Sequence, residues 1–203
     1  SLGVRLLREH HATLGIKRHF TIYDRSDSIR AIKKGLEISG YSPKQFEPRN
    51  ILSMISRAKG DALSRTDFLE TASSYPQKVT AEVWEHYDRI LREEDALDFD
   101  DLLLKTLNLI KSYPVVKETL QKRFQYIHVD EYQDTNRVQF EIVKLLAGDT
   151  QNICAVGDID QNIYSWRGAS IENVMKFEKQ FPGAATVFLE ENYRSTQTII
   201  SAS

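Results

Sequence analysis

The chain has 203 residues, with 27 Lys and Arg against 29 Asp and Glu, a formal net charge of −2, and 41% hydrophobic residues. This length and apolar content suffice for a packed core in one or two domains. The single cysteine excludes a disulfide scaffold and a multi-cysteine zinc site. No stretch approaches the roughly 20 apolar residues of a membrane span, and the first residues lack a secretory signal pattern. We therefore expect a protein of the cytoplasm.

The small net charge conceals an uneven distribution. Residues 1–92 carry 16 basic and 11 acidic side chains, whereas residues 93–203 carry 11 basic and 18 acidic ones. The most basic part, residues 5–65, has 13 basic and 6 acidic side chains. A basic segment can follow nucleic-acid phosphates, and clustered carboxylates can bind metal ions. Solvated helix faces without any partner would give the same balance.

The first 124 residues predict helices and no strand of comparable strength. Apolar residues recur at helical spacing in six segments, which are 1–11, 28–38, 49–58, 81–91, 99–113 and 115–124. Glycines and prolines between them predict loops near residues 15–20, 40–48, 60–66 and 73–78.

From residue 126 onward the pattern alternates between short apolar runs and helices. The runs are residues 126–129, 153–156 and 186–189, with predicted helices at 138–148 and 171–181. Such runs indicate an α/β fold with a parallel sheet that is covered on both faces. Ligands of these sheets bind at the carboxyl ends of the strands. All three runs end in polar clusters, which are DEYQDTN, GDIDQNIYSWRGA and EENYRST.

The first cluster begins with two adjacent acids, Asp130 and Glu131. In phosphoryl-transfer enzymes one carboxylate can hold magnesium, while its neighbour orients or deprotonates an attacking water. A pair of acids that caps the next helix is the alternative interpretation. The longer string DEYQDTN is more specific than the pair alone.

The second cluster carries Gln161, whose amide can both donate and accept and so could sense a terminal phosphate or its bound water. Trp166 and Arg167 combine an aromatic face with a planar cation, which suits single-stranded nucleic acid. An ordinary core position is the alternative for Trp166.

The third cluster contains Tyr193, which could stack on adenine, and Arg194, which could stabilise charge on a transferred phosphoryl group. Ser195 could equally cap a helix, and the two interpretations are compatible. A nucleotide hydrolase of this kind needs a G-x-x-x-x-G-K-[ST] loop, yet the chain contains no Gly-Lys dipeptide. Either the nucleotide interpretation is wrong, or the chain is a piece of a longer protein.

These motifs carry a family resemblance. FQYIHVDEYQDTN, VGDIDQNIYSWRGA and LEENYRST resemble motifs II, III and IV of superfamily-one DNA helicases of the UvrD/PcrA/Rep type. LDFDDLLL at residues 97–104 resembles a family segment that precedes motif II and lies near single-stranded DNA. The start of the chain resembles the segment that follows the family's Thr-Phe-His motif.

The resemblance implies an incomplete RecA-like P-loop NTPase domain, a parallel sheet with flanking helices. Residues 1–21 and 97–203 would belong to this domain 1A, and residues 22–96 would form an inserted all-helical subdomain that resembles domain 1B. The phosphate-binding loop and an adenine-reading Gln are expected before Ser1, and a second RecA-like domain after Ser203.

The implied function is an ATP-driven motor that moves 3′ to 5′ on single-stranded DNA and unwinds duplex DNA, in repair or replication restart. ATP and Mg²⁺ would be its cofactors, and single-stranded and duplex DNA its partners. Asp130 would coordinate magnesium and Glu131 would be the general base. Further roles come from the motifs: γ-phosphate contact by Gln161 and Arg194, adenine stacking by Tyr193, and DNA contact by Tyr164, Trp166 and Arg167.

Two other functions remain open on the residues. A metal-dependent nuclease could use the four acids Asp130, Glu131, Asp158 and Asp160. A non-catalytic DNA-binding module could use the basic helical half, and this would describe the isolated chain if it lacks hydrolytic activity.

Overall fold

The computed structural model describes residues 1–158, 177–189, 191, 193 and 195–201. Helices dominate this part of the chain, in keeping with the sequence patterns. They are α1 (Leu2–Glu9), α2 (Arg25–Ile38), α3 (Pro48–Gly60), α4 (Arg65–Thr71), α5 (Tyr75–Glu93), α6 (Phe99–Ser112), α7 (Pro114–Arg123), α8 (Arg137–Ala147), α9 (Phe177–Gln180) and α10 (Gln197–Ile200).

The described strands form two small parallel sheets. In the first, β1 (Thr21–Ile22) pairs with β2 (Ala96–Leu97). In the second, β3 (Ile127–Val129) pairs with β4 (Ile153–Ala155), with His128 opposite Cys154. The mixed α/β composition and the parallel pairing of the first two apolar runs are therefore confirmed.

Several helices begin where the sequence offers a reciprocal cap. The side chain of the residue before the helix accepts a hydrogen bond from the backbone N–H three positions later. The side chain of that later residue accepts one from the backbone N–H of the first. Asp98 and Asp101 cap α6 in this way, and Asn136 and Gln139 cap α8. The local sequence therefore determines where these two helices start.

Helices α2 to α5 surround an apolar core of their own. Ile32, Leu36, Ile55 and Tyr87 are among its fully buried side chains. The β1–β2 pair closes this helical bundle, because Thr21 N–H donates to Asp95 O at 3.0 Å. The two ends of the predicted 22–96 insertion thus lie side by side, while the division into domains itself stays a prediction.

A second part of the core lies around α1, α6, α7 and α8, where Leu6, Leu109, Ile110 and Leu120 are fully buried. Val129 and Ala155 on the β3–β4 sheet pack into a neighbouring aromatic cluster. Its rings include Phe140 of α8, Phe177 at the start of α9 and Phe181 directly after α9. This packing holds the carboxyl ends of β3 and β4 at a defined place beside α8.

The expectation that the sheet is covered on both faces is wrong for the described residues. Because side chains alternate along a strand, Ile127 and Val129 face the aromatic cluster while His128 points the other way. His128 and its neighbour Cys154 are both exposed.

The prediction of a third strand at residues 186–189 is also wrong. These residues form no strand, and Val187, Phe188 and Leu189 are 79%, 79% and 85% exposed. An apolar run becomes a strand only when a neighbouring edge satisfies its backbone groups. No described strand pairs with this run.

Three elements were not expected from the sequence. Helix α4 starts at the end of the predicted 60–66 loop, where Ser64 and Asp67 supply a capping box. Strands β1 and β2 have two residues each, which is too short for any periodic signal. Among the described helices none is both long and apolar enough to cross a membrane.

Candidate nucleotide site

The two adjacent acids predicted as catalytic lie where β3 ends. Asp130 and Glu131 directly follow the strand, and both are exposed. Backbone hydrogen bonds to Val156 flank the acid pair. Val156 N–H donates to Val129 O at 2.8 Å, before the pair, and Tyr132 N–H donates to Val156 O at 2.9 Å, after it. Backbone bonds to the end of β4 therefore hold the acid pair.

The chain turns sharply at Glu131. This residue has a left-handed backbone, with φ 48° and ψ 46°, which is uncommon for a residue other than glycine. Its N–H donates to Asp130 Oδ1 at 2.9 Å, and a short 3₁₀ turn follows at Tyr132–Asp134. Strained backbone of this kind persists only where the surroundings enforce it, and it is concentrated at functional sites.

The buried side chain of Gln133 holds the Glu131 side chain by a hydrogen bond. It is 1% exposed, and its Nε2 donates to Glu131 Oε2 at 2.6 Å. Its Oε1 accepts from Asp158 N–H at 3.0 Å, just beyond the end of β4. One buried amide thus connects the tip of β3 to the tip of β4.

The position of Gln133 depends on the glycine before Asp158. A Cβ placed on Gly157 would lie 2.7 Å from Gln133 Oε1 and 3.3 Å from its backbone nitrogen. Real side chains do not approach that closely, so any other residue at 157 would displace the amide. The Gly-Asp that follows the second apolar run is therefore explained by close packing against Gln133.

Tyr132 anchors the same loop on its buried side. The ring is 3% exposed and meets Phe177 edge to face, with centroids 5.2 Å apart. Burial raises the pKa of Tyr132 to about 12. Its hydroxyl has no hydrogen-bond partner among the described residues.

The donor set fits magnesium bound together with a nucleotide. Mg²⁺ in such sites takes one or two carboxylates, with phosphates and waters as its remaining ligands. The exposed Asp130 at a strand end offers one carboxylate of this kind. The described residues contain no group of three His, Cys, Asp or Glu side chains that could hold a metal by themselves. Of the four acids in the nuclease alternative, Asp160 lies outside the described residues.

A buried ion cluster lies between α3 and the start of α6. Lys59 Nζ is 2.8 Å from Asp98 Oδ2 and 2.7 Å from Asp101 Oδ1, and Lys59 is 2% exposed. Tyr87 donates its hydroxyl proton to the same Asp98 oxygen at 2.9 Å. The helical bundle is thus bound to the LDFDDLLL segment by a cation and two carboxylates.

The ionisation of this cluster follows from burial and mutual charge. Burial alone would lower the pKa of Lys59, but Asp101 and Asp98 outweigh it and raise that pKa. Burial opposes ionisation of Asp98, yet Lys59 holds the pKa of this carboxyl below its ordinary value. The nearby Asp88 has its pKa raised to about 6, chiefly by burial.

A groove of about 740 Å³ separates the helical bundle from the loop after Asp130. Arg25 and Arg57 line it from α2 and α3, and Asn136 lines it from the start of α8. Phe99, the first residue of α6, also lines the groove and is 62% exposed. The groove thus brings together two cations and the exposed ring of Phe99, which belongs to the LDFDDLLL segment. Four carboxylates also line it, those of Asp24, Asp98, Asp100 and Asp134.

The basic first third of the chain presents its charge to solvent. Of the 13 basic residues between 5 and 65, eleven are exposed, which leaves the buried Lys59 and the half-buried Arg65. Some of this charge is neutralised locally, as in the exposed pair of Lys17 with Asp95 at 2.6 Å.

Most of the remaining predicted site residues lie outside the described residues. Tyr193 is described; it is 86% exposed, and its hydroxyl donates to Glu191 Oε2 at 2.6 Å, which raises its pKa. Outside the described residues lie Gln161, Tyr164, Trp166, Arg167 and Arg194. Their predicted roles stay predictions.

The string DEYQDTN contains Gln133, but the sequence pattern predicts no role for this residue. Its polar amide amid the acids was the only local signal, because its partner Asp158 lies 25 positions away. Lys59 was counted with the basic surface, and its burial depends on carboxylates about 40 positions later in the chain.

The chain was compared with known proteins. Residues 1–182 match the family model described as UvrD/REP helicase N-terminal domain. Over 202 residues the chain is 48% identical to the ATP-dependent DNA helicase PcrA of Staphylococcus aureus strain Mu50, and 46% identical to that of Staphylococcus epidermidis strain ATCC 12228. Each alignment covers 100% of this chain and 28% of the relative, so the chain spans just over a quarter of the length of these curated relatives.

Proposed function

The chain belongs to the UvrD/REP helicase family, and on that premise we propose that it forms part of an ATP-dependent DNA helicase motor. The motor moves 3′ to 5′ along single-stranded DNA and separates the strands of duplex DNA, in the cytoplasm. The observation that carries the proposal is the acid pair at the end of β3, where Gln133 holds Glu131 and in turn accepts a hydrogen bond from Asp158, beyond the end of β4. The expected cofactors are ATP and Mg²⁺.

The two acids take different parts in hydrolysis. Asp130 is the carboxylate for Mg²⁺, which when bound neutralises charge on the phosphate oxygens. Glu131 accepts a proton from the water that attacks the γ-phosphate, and its hydrogen bond to Gln133 aims the carboxylate. The two side chains have different hydrogen-bond partners: Asp130 Oδ1 accepts from the Glu131 backbone N–H, whereas Glu131 Oε2 accepts from the buried amide of Gln133.

The other nucleotide contacts come from the two later motifs. Gln161 contacts the γ-phosphate and links hydrolysis to movement, and Arg194 stabilises the charge that develops there. Tyr193 stacks on adenine. The exposure of Tyr193 supports this role, because an unburied ring is available to a base.

DNA binding uses both halves of the chain. Tyr164, Trp166 and Arg167 contact single-stranded DNA by stacking and charge. The exposed basic residues of the helical bundle and the groove that holds Phe99 provide a further surface for the phosphate backbone and its bases.

The test is DNA-stimulated hydrolysis and unwinding by the full-length gene product. Turnover of ATP should rise when single-stranded DNA is added, and a duplex with a 3′ single-stranded tail should be unwound in preference to one with a 5′ tail. Equal unwinding of both duplexes would refute the polarity. DNA cleavage with Mg²⁺ in the absence of ATP would favour the nuclease instead.

A second function, non-catalytic DNA binding, describes the isolated chain. The eleven exposed basic residues between 5 and 65 favour it. Binding of the isolated chain to single-stranded DNA should survive substitution of Asp130 and Glu131 and should weaken steeply with salt, since released counterions drive it. Binding that does not respond to salt would contradict this assignment.

A further inference from the structure

Two of the hydrogen bonds of Gln133 have opposite polarity, and they use both ends of its amide. The Asp158 backbone N–H can only donate, so Gln133 Oε1 must face it, at 3.0 Å. Nε2 is then left to donate to Glu131 Oε2, at 2.6 Å, and an ionised carboxylate can only accept. The amide carries a donor and an acceptor at its end, so it satisfies both partners at once.

The amide has little freedom to move. Gln133 is 1% exposed, and Gly157 packs so closely on it that even a methyl group there would clash with Oε1. The backbone is held as well, because Tyr132 N–H donates to Val156 O and Thr135 donates its hydroxyl proton to Tyr132 O at 2.7 Å. The exposed Glu131 carboxylate therefore takes its direction from a rigid buried group.

We propose that Gln133, which is itself held by the backbone N–H of Asp158 beyond the end of β4, is a positioning residue that aims the Glu131 carboxylate at the attacking water. The proposal rests on the proposed function, because it requires Glu131 to be the general base. A base must lie within hydrogen-bond reach of the proton it takes, and a misplacement of about 1 Å can cost about 100-fold in rate. Gln133 itself touches neither nucleotide nor water in this scheme.

Gln133 connects the acid pair to the part of the chain that follows β4. Asp158 is the last described residue before the segment with Gln161. Since the same amide bonds to Asp158 and Glu131, a displacement of the Asp158 backbone is transmitted directly to the Glu131 carboxylate.

Two substitutions separate positioning from packing, both made in the full-length gene product. Gln133→Glu retains an acceptor for Asp158 N–H but removes the donor to Glu131 and places a second carboxylate beside it. With saturating DNA, kcat should fall about tenfold or more while the KM for ATP stays within about threefold.

Gln133→Ala removes both bonds without adding charge. Its kcat should fall as well, while the KM for ATP changes little. Hydrogen exchange in the nucleotide-free protein gives a readout independent of activity. The amide of Asp158 should exchange faster in Gln133→Ala than in the parent protein, and it should remain protected in Gln133→Glu.

Gln121→Ala is the matched control. Gln121 is also partly buried, and its Nε2 donates to Leu145 O at 2.7 Å between α7 and α8, away from the acid pair. Its loss should lower thermal stability and leave kcat unchanged.

Either of two outcomes would overturn the proposal: both Gln133 variants within about twofold of the parent kcat, or an Asp158 amide that exchanges alike in all variants. Failure of the proposed function is distinguishable, because the parent protein would then show no DNA-stimulated hydrolysis, or Glu131→Gln would keep it.

Discussion

Lys59 Nζ lies 2.8 Å from Asp98 Oδ2, although Lys59 lies in the last turn of α3 and Asp98 is the N-cap of α6. Both side chains are almost fully buried, and Asp101 completes the contact at 2.7 Å. A buried pair of this kind does not by itself guarantee stability, since desolvation offsets the attraction. Removal of one partner, however, leaves an uncompensated charge.

Lys59→Met should therefore destabilise the protein by about 3–5 kcal/mol, because two buried carboxylates lose their cation. Denaturant unfolding followed by circular dichroism measures the change. Lys17→Met is the matched control, since its 2.6 Å pair with Asp95 is exposed and should contribute less than about 1 kcal/mol. Equal losses in the two variants would contradict the role assigned to the buried cluster.

Asp88 should make stability depend on pH. Burial raises its folded pKa to about 6 from an ordinary 3.8, so between these values the native state keeps a proton that the unfolded chain has lost. The contribution of Asp88 to stability is therefore present at low pH and is lost as pH rises through about 6. Asp88→Asn cannot titrate, and it retains an acceptor for the Trp84 Nε1–H bond.

The melting temperature of Asp88→Asn relative to the parent should thus increase between pH 4 and pH 7. Asp61→Asn, at an exposed position at the end of α3, controls for the change in net charge. A difference in melting temperature that is constant across this range would refute the assignment.

Glu131→Gln should abolish ATP hydrolysis in the complete protein while nucleotide still binds. The amide keeps the shape of the side chain but cannot take a proton. Steady-state turnover and the fluorescence of a labelled ATP analogue measure the two properties separately. Glu118→Gln, at an exposed acid on α7, should leave both unchanged. Unchanged turnover in Glu131→Gln would remove Glu131 from the role of base.

Phe99→Ala should weaken binding of single-stranded DNA about tenfold, because stacking of a base on an aromatic ring contributes about 1–3 kcal/mol. Phe99 is 62% exposed and lines the same groove as Arg25 and Arg57. Tyr126→Ala is the control, since this ring is 72% exposed but precedes β3, at the strand end opposite to Asp130. Similar losses in both variants would show that the groove has no special part in DNA binding. Fluorescence anisotropy at a stated salt concentration measures the affinities.

The isolated 203-residue chain should hydrolyse ATP only at background level. It contains no Gly-Lys dipeptide and hence no loop of the G-x-x-x-x-G-K-[ST] type to hold the phosphates. Phosphate release with and without single-stranded DNA tests this expectation. Measurable, DNA-stimulated turnover by the purified chain would contradict it.

The elements that could be predicted are those with a strong local signal. Helix α6 follows from its apolar spacing and from Asp98 with Asp101 at its start, and strands β3 and β4 follow from short apolar runs that precede polar clusters. The run at residues 186–189 has the same local signal but forms no strand, because the described residues offer it no paired edge. A local pattern cannot specify the neighbour that a strand requires.

For the candidate site, the sequence alone determined the residue types and the family: the acid pair after an apolar run and the motif strings suffice for both. The tertiary structure alone decided how Glu131 is held and where Lys59 lies. Gln133 reaches Asp158 because β3 and β4 are paired, and Lys59 is buried because α3 packs on the start of α6. Chemistry that depends on residues adjacent in sequence can be predicted from the sequence. Contacts between side chains of distant elements are defined only when the fold forms.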